Sequence, residues 1–200
     1  MLQIPIRLAM VAGLIAIWFF TQRLIGGRPP LEGQIGDKIH EWLSPANRFL
    51  NSRSWSARAL LVTSSLGVDF LGLSILYLGI FGPSFRPIVG MTVMLSLRQV
   101  SQFLTALPPP PGMIWRDPGI PSIFVTYGVT NDLFFSGHTA LAVYGALTLA
   151  MWGGPVAGAI GAAIAIFEII AVLALRAHWT MDVYAGFVTA ILCFFASKAF

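Results

Sequence analysis

Charged residues are scarce in this 200-residue chain, which carries 12 Lys and Arg and 8 Asp and Glu, or 10% of the sequence. Hydrophobic residues make up 56% of it. A water-soluble domain of this length keeps too much of its chain at the surface to hide that much apolar area. The composition therefore excludes an ordinary soluble globular domain and favours a protein for which lipid is part of the solvent.

Cysteine is almost missing, because Cys193 is the only one in the sequence, and an intramolecular disulfide is thereby excluded. The formal net charge of +4 at pH 7 suits an anionic membrane surface. No run of basic residues organises that charge into a nucleic-acid site, so we predict no nucleic-acid partner. Internal repeats and low-complexity segments are also missing, and we predict a single membrane domain over 1–200.

Apolar stretches of about 20 residues, the length that crosses a bilayer, recur along the chain between breaks rich in Pro, Gly and charge. The pattern predicts an all-α integral membrane protein with a bundle of six transmembrane helices. No small-residue cleavage pattern follows the first stretch, so we expect an uncleaved span there and not a signal peptide. The predicted spans are 6–25, 58–81, 87–106, 137–152, 155–175 and 182–198.

The connection between the first two spans has a mixed character. Over residues 31–57, apolar side chains alternate with charged ones, a pattern typical of an amphipathic helix that lies in the membrane interface. Pro45 is expected to bend or divide this helix. Two functions fit the segment, namely a membrane anchor or a gate for substrate.

Six alternating spans would bring two connections to one face of the membrane, Pro108 to His138 and Leu175 to Asp182. Ionisable groups at membrane depth are costly, so they are usually paired or functional. The distinctive ionisable residues of the chain lie in these two connections: Asp132, His138, Arg176, His178 and Asp182. We therefore predict a functional site where the connections meet.

His178 and Asp182 stand four residues apart, so at a helix start they would share one face, with about 6 Å between their Cβ atoms. A carboxylate at that distance can accept one imidazole N–H, fix the tautomer and leave the other nitrogen nucleophilic. The pair would also suit a metal ion, but no third ligand stands at a matching spacing. We predict neither a metal nor another cofactor.

Ser136, Gly137 and His138 stand directly before an apolar run. Ser136 is a credible N-cap, and the free N–H groups of such a helix start can hold a phosphate. Gly137 lets the backbone approach the anion closely, and His138 could protonate a leaving oxygen. An ordinary capped helix would show the same local sequence, but two histidines and Asp182 on one face favour catalysis.

Two motifs in these connections carry a resemblance to a known family. Residues 132–139 read Asp-Leu-Phe-Phe-Ser-Gly-His-Thr, and residues 178–183 read His-Trp-Thr-Met-Asp-Val. Upstream, Arg98 is followed by Thr-Ala-Leu-Pro-Pro-Pro at 105–110. Together these elements resemble the sphingomyelin-synthase-related branch of the lipid phosphate phosphatase superfamily. The chain is also similar to plant-type phosphatidylcholine:diacylglycerol cholinephosphotransferases.

The resemblance implies an enzyme that moves phosphocholine or phosphoethanolamine from a glycerophospholipid donor to a lipid alcohol acceptor, diacylglycerol or ceramide. It implies that His178 attacks phosphorus to form a phosphohistidine, that Asp182 orients His178, and that His138 protonates the leaving alkoxide and then deprotonates the acceptor. Two alternatives stay open. One is a lipid phosphatase or phospholipase-C-like hydrolase, and the other is a non-enzymatic lipid-binding membrane protein.

The motifs of the phosphatase branch are incomplete in this chain. That branch carries Lys-x6-Arg-Pro, Pro-Ser-Gly-His and Ser-Arg-x5-His-x3-Asp, whereas here Phe135 precedes Ser136 and Arg176 stands only two residues before His178. No Lys stands at the expected distance before Arg98. A phosphodiester carries less charge than a phosphomonoester and needs fewer cations, so the missing cations favour a diester headgroup as substrate.

Further substrate contacts are predicted from position. Arg98, inside the third span, is expected either to pair with an acid or to reach the donor phosphate. Trp115, in the connection over the site, could bind a quaternary ammonium group or serve as an interface anchor. Asn131 and Trp179 replace the Gly and Tyr that are usual in the family and could alter the fit of the headgroup. The predicted substrate-binding set is Asp132, Ser136, Gly137, Arg98, Arg176, Trp115 and Trp179.

Two arguments about membrane sidedness disagree. Most cations lie in or beside the connection 31–57, so the positive-inside rule predicts that this connection and the active face are cytoplasmic. The resemblance implies an extracytoplasmic or lumenal site. We predict an extracytoplasmic or lumenal site, and we make no prediction of oligomeric state.

Overall fold

The computed structural model describes residues 3–27, 35–129 and 132–199. Asn131 and residues 31–34 of the predicted interfacial segment lie outside these ranges. Within them the chain forms eight α-helices and no strand, so the predicted all-α fold is confirmed. The helices are α1 (Gln3–Gly26), α2 (Lys38–Trp42), α3 (Ser44–Ser52), α4 (Ser54–Phe81), α5 (Arg86–Leu104), α6 (Gly137–Trp152), α7 (Gly154–Ala174) and α8 (Thr180–Ala196), followed by a 3₁₀ turn at Ser197–Ala199.

Three of the described helices, α1, α4 and α7, are long and apolar enough to cross a membrane, judged by length and composition. Each of the other three predicted spans also coincides with a helix, but α6 has 16 residues and α8 has 17. At about 1.5 Å per residue, α6 rises about 24 Å, short of a hydrocarbon core of about 30 Å. The apolar helices indicate a multi-pass membrane protein, while six crossings stay a prediction.

Helix α6 is the centre of the bundle and packs against α7, α8 and α4. Every residue of its first ten positions, 137–146, is buried. Small residues let its neighbours approach closely, since a Cβ built on Gly161 of α7 would lie 2.8 Å from the Cα of Ala146. The N-terminus of α6, where His138 lies, is therefore held by packing on several sides.

The interfacial segment is divided as predicted, because α2 ends before Leu43 and α3 begins at Ser44 with Pro45 in its first turn. Its large apolar side chains Trp42 and Phe49 are exposed. The side chains buried against the bundle include two polar ones, His40 and Asn47. The segment therefore contacts the bundle through both apolar side chains, such as Leu50, and polar ones, and it exposes large apolar side chains on its outer side.

Candidate active site

The two connections that the topology places together are in contact. The Ile114 N–H donates to the carbonyl oxygen of Leu175 at 2.8 Å, and the Ser136 N–H donates to that of Asp182 at 3.0 Å. The second bond links the residue before α6 to the first turn of α8. The structure therefore confirms that 108–138 and 175–182 meet on one side of the bundle.

His178 lies in the turn between α7 and α8, and not on α8 itself as its spacing from Asp182 suggested. Trp179 has extended backbone angles and caps α8, so the helix begins only at Thr180. The imidazole still faces the carboxylate, with 3.7 Å between His178 Nδ1 and Asp182 Oδ2. That separation exceeds a hydrogen bond of about 3.2 Å, and catalytic contacts of this kind often tighten when substrate binds.

Asp182 is fully buried and has two tasks. Its Oδ2 accepts the N–H of Trp179 at 2.9 Å, which caps the first turn of α8. The same carboxylate faces the imidazole of His178. One side chain thus fixes the start of the helix and places a negative charge beside the predicted nucleophile.

His138 is the second residue of α6. Ser136 caps this helix, since its Oγ accepts the N–H of Thr139 at 3.3 Å and its carbonyl oxygen accepts the N–H of Ala140 at 3.1 Å. The N–H groups of Gly137 and His138 stand in the first turn, where helix amides have no intrahelical acceptor. The His138 ring centroid is 5.9 Å from that of His178, and its Nε2 is buried without a hydrogen-bond partner among the described residues.

Arg98 supports the N-terminus of α6 from α5. Its Nε donates to the carbonyl oxygen of Phe135 at 3.0 Å, and its Nη2 donates to that of Asp132 at 3.1 Å. Nη2 also lies 3.6 Å from Asp132 Oδ2. Gln22 of α1 donates to the same carboxylate, and Gln102 of α5 donates to the Asp132 carbonyl oxygen. Of the two expectations for Arg98, the pairing with an acid is what the structure shows.

A cavity of about 280 Å³ opens beside the two histidines. Arg98, Asp132, Gly137, His138 and His178 line its polar end. Its remaining walls are mostly apolar and come from α1, α4, α5, α6 and the connection before α6: Leu14, Ile15, Trp18, Phe19, Leu76, Met91, Leu95, Met113, Trp115, Ile123, Phe124, Val129, Leu133 and Leu141. Among the described residues, no group of three His, Cys, Asp or Glu side chains is placed to hold a metal ion.

Trp115 lines this cavity and contacts His138 directly. The two rings are perpendicular, with centroids 5.0 Å apart. The Trp115 Nε1 donates to the carbonyl oxygen of Thr126 at 3.1 Å, and the ring lies 4.7 Å from that of Tyr127. These contacts fix the indole in a position that restricts the His138 ring.

Three members of the predicted substrate-binding set do not line the cavity, namely Ser136, which caps α6, and Arg176 and Trp179. Arg176 Nη2 donates to the carbonyl oxygen of His40 at 3.0 Å and to Ser44 Oγ at 2.8 Å. Trp179 stacks on His40 at 5.4 Å, and its Nε1 donates to the carbonyl oxygen of Pro108 at 2.8 Å. Neither is among the described residues that line the cavity, so their positions give no support to the predicted substrate contacts.

Sequence reasoning missed four polar residues beside the site: Gln22, Asp37, His40 and Gln102. Asp37 has a visible signal, because an Asp directly before a short helical stretch is a common N-cap. His40 is one of only three histidines in the chain. The two glutamines stand among other polar residues near the ends of apolar spans, Gln22 between Thr21 and Arg23 and Gln102 directly after Ser101. Hydropathy alone does not distinguish them from the ordinary polar end of a span.

The comparison with known families supports the resemblance in its coarser form. Residues 130–199, which include His138, His178 and Asp182, match the family described as PAP2 superfamily C-terminal. Members of that superfamily are generally phosphatase-type enzymes, and the match supports a lipid phosphate phosphatase-like relationship with phosphatase or phosphotransferase chemistry on lipids. No curated protein and no solved structure matches the chain significantly.

Proposed function

We propose that this chain is a membrane enzyme that transfers a phospholipid headgroup, with its phosphoryl group, from a glycerophospholipid to a lipid alcohol through a phosphohistidine at His178. The observation that carries the proposal is the cavity in which His138 and His178 face each other beneath apolar walls. A binding protein has no need of two facing imidazoles and a buried carboxylate, whereas phosphoryl transfer uses all three.

The reaction follows from these three groups. Nε2 of His178 attacks phosphorus while Asp182, on the Nδ1 side, stabilises the positive charge that develops on the ring. The bond from phosphorus to the diacylglycerol oxygen breaks, and that oxygen keeps the electron pair and takes a proton from His138. The acceptor hydroxyl then attacks phosphorus and gives its proton to His138. The P–N bond breaks and its electron pair returns to His178.

The charge of the cavity supports a phosphodiester as the substrate. Among the described residues that line it, Arg98 is the only Lys or Arg, and it already pairs with Asp132. A phosphomonoester brings a charge of about −1.5 to −2 at neutral pH, which this neutralised pair would compensate poorly. A diester with a single charge is served by the N–H groups at the start of α6.

The walls of the cavity support a lipid alcohol as the acceptor. Leu14, Trp18 and Phe124 are part of its apolar lining, a kind of surface that disfavours water and suits acyl chains. We propose phosphatidylcholine or phosphatidylethanolamine as donor and diacylglycerol or ceramide as acceptor. Exclusion of water from the site would keep the phosphohistidine from hydrolysis.

The test is incubation of the purified protein with phosphatidylcholine or phosphatidylethanolamine carrying a labelled headgroup phosphate, with and without diacylglycerol or ceramide. We expect label in a new lipid only when an acceptor is added. Release of water-soluble headgroup phosphate alone would overturn transfer in favour of hydrolysis. Binding of the donor without any conversion would instead assign the chain to the lipid-binding class.

The His178→Ala variant is the control for the intermediate. We expect it to lose both turnover and the acid-labile, base-stable label that a P–N bond leaves on the protein, because His178 is the proposed site of that bond. Turnover by this variant at the wild-type rate would remove His178 as the nucleophile.

A further inference from the structure

The short helix α2 contacts the main chain on both sides of Trp179, the residue that follows the predicted nucleophile. Asp37 Oδ2 accepts the N–H of Thr180 at 2.7 Å, and Asp37 Oδ1 accepts the Thr180 hydroxyl at 2.7 Å. His40 Nε2 lies 3.0 Å from the carbonyl oxygen of His178. The peptide groups that follow His178 are therefore bonded to residues from the far end of the sequence.

These contacts are buried. The side chains of Asp37 and His40 are 6% and 5% exposed. Burial would by itself raise the pKa of the Asp37 carboxyl, but the hydrogen bonds from Thr180 and His40 outweigh it and the pKa is lowered. Asp37 is thus ionised at neutral pH, and its bonds to Thr180 are charge-assisted, which makes them stronger than bonds between neutral groups.

The His40 ring has a defined task in this arrangement. A carbonyl oxygen only accepts, so Nε2 of His40 must carry a proton to bond to His178. The ring stacks on Trp179 at 5.4 Å. On the other side of His178, Arg176 donates to the carbonyl oxygen of His40. The short helix is therefore joined to the turn both before and after the nucleophile.

His178 depends on such contacts because it lies outside a helix. The main chain of His138 is held by the hydrogen bonds of α6, whereas residues 175–179 form a turn without a regular series of helical hydrogen bonds. Helix α2 has five residues, too few to be stable alone. It keeps its position through the same contacts that hold the turn.

We propose that Asp37 and His40 are positioning residues for His178, which place its imidazole against the substrate phosphorus. This inference rests on the proposed function for its effect on turnover. A displacement of about 1 Å in a reacting group can cost about 100-fold in rate, while the apolar surface that binds the lipid would be unaffected.

The first test compares variants of Asp37, Thr180 and His40 with a control variant in the transfer assay. Asp37→Ser keeps a side chain that can cap α2 through the N–H of His40 but is too short to reach Thr180. Glu41→Gln is the matched control, because Glu41 lies on the same helix, is exposed and contacts Lys38. We expect kcat to fall about 10- to 100-fold in Asp37→Ser with KM within about threefold, and no change in Glu41→Gln. An equal kcat in the two variants would overturn the inference.

Substitutions at Thr180 and His40 separate positioning from simple loss of folding. Thr180→Val keeps the main-chain N–H donor and removes only the hydroxyl, so a loss of several-fold in kcat is expected in a folded protein. His40→Gln retains an amide donor for the His178 carbonyl oxygen and should restore most of the rate lost in His40→Leu. Equal rates in His40→Gln and His40→Leu would show that this hydrogen bond does not position His178.

The second test does not depend on turnover. The chain has three histidines, so a protein labelled only at histidine gives three sets of ring signals in nuclear magnetic resonance, each assigned by one substitution. We expect Asp37→Ser to shift or broaden the His178 ring signals and to leave those of His138 unchanged. Unchanged His178 signals would overturn the positioning role. If the wild-type protein transferred no headgroup, the proposed function would be wrong. The histidine ring signals would still show whether Asp37 and His40 position His178.

Discussion

The two histidines of the site are held in different ways. His138 is part of α6, its ring meets Trp115, and its Nε2 has no hydrogen-bond partner among the described residues. His178 precedes α8, and its surrounding main chain is tied to α2 and to Asp182. Each imidazole has one buried nitrogen without a hydrogen-bond partner among the described residues, Nε2 of His138 and Nδ1 of His178. The two histidines therefore differ in what holds their main chain, which is a helix for His138 and hydrogen bonds from α2 and Asp182 for His178.

This difference suits two chemical tasks. A general acid and base must exchange its proton with two different oxygens, so an unpartnered nitrogen at the edge of a cavity is an advantage. A nucleophile must present one nitrogen in line with the bond that breaks, so several contacts are needed to hold it in position. The comparison therefore supports the proposal that His138 transfers the proton and His178 attacks phosphorus, the roles that the family resemblance also implies.

The largest effect is expected for Asp182→Asn, which removes the negative charge of this residue but keeps an oxygen that can cap α8. The amide oxygen can still accept the Trp179 N–H, so the unfolding temperature should change little. That same oxygen, Oδ2, also lies nearest His178 Nδ1, so the substitution leaves a neutral amide beside the imidazole and removes the negative charge. A loss of about 10⁴-fold in kcat is expected by analogy with Asp→Asn substitution in other His–Asp pairs. Measurement of kcat and of thermal unfolding in detergent decides this. A loss below threefold would show that the carboxylate only caps α8.

His138→Ala should lower transfer from a natural phospholipid by about 10³-fold, because the diacylglycerol alkoxide leaves poorly without a proton. A donor with a p-nitrophenyl leaving group does not need that proton. We therefore expect the initial burst of p-nitrophenolate to be nearly normal in His138→Ala and missing in His178→Ala. An equal loss with both donors would mean that His138 is not the acid for the leaving group.

A smaller loss is expected for Gly137→Ala. An added Cβ would lie 2.8 Å from Nε of Arg98, the atom bonded to the Phe135 carbonyl oxygen. Overpacking of this kind costs about 1 to 3 kcal/mol, and the shift of the α6 terminus that carries His138 should reduce kcat about tenfold.

Gly13→Ala is the control for that variant, since Gly13 is exposed on α1 and an added Cβ would meet nothing within 4 Å. It should be neutral or slightly stabilising, as Ala usually is in a helix. Equal unfolding temperatures and rates for the two variants would show that the contact of Gly137 with Arg98 is unimportant.

The smallest expected effect is a pH dependence of the unfolding temperature, caused by His40, which contacts the main chain of His178. Burial lowers the pKa of His40 below its usual value of 6.5, in spite of the nearby Asp37. Below pH 6.5 the unfolded chain therefore binds more protons at this residue than the folded chain does. The contribution of neutral His40 to the free energy of unfolding is present above pH 6.5 and is lost as the pH falls towards the pKa of the folded state. We expect the unfolding temperature of His40→Gln to fall less than that of the wild type between pH 7.5 and 5.5. Parallel curves would contradict this.

Much of the helical framework could be predicted from the sequence, because hydropathy and Pro-Gly breaks act over neighbouring residues. All six predicted spans correspond to helices, and Pro45 lies at the predicted division of the interfacial segment. The helical extension of α8 to His178 was wrong, since a residue before the N-cap is already outside the helix. Trp179, the N-cap at the start of α8, contacts Pro108 and His40, and no local sequence pattern shows these contacts.

The sequence by itself determined that the chain needs lipid, that it is helical, and that the two histidine motifs belong to adjoining connections. These properties follow from the composition and order of nearby residues. Only the tertiary structure decided what holds His178 in place. Asp37 and Thr180 are 143 residues apart, and no local pattern joins them. Their hydrogen bonds exist because helix packing brings the interfacial segment against the turn before α8, where buried polar groups must find partners.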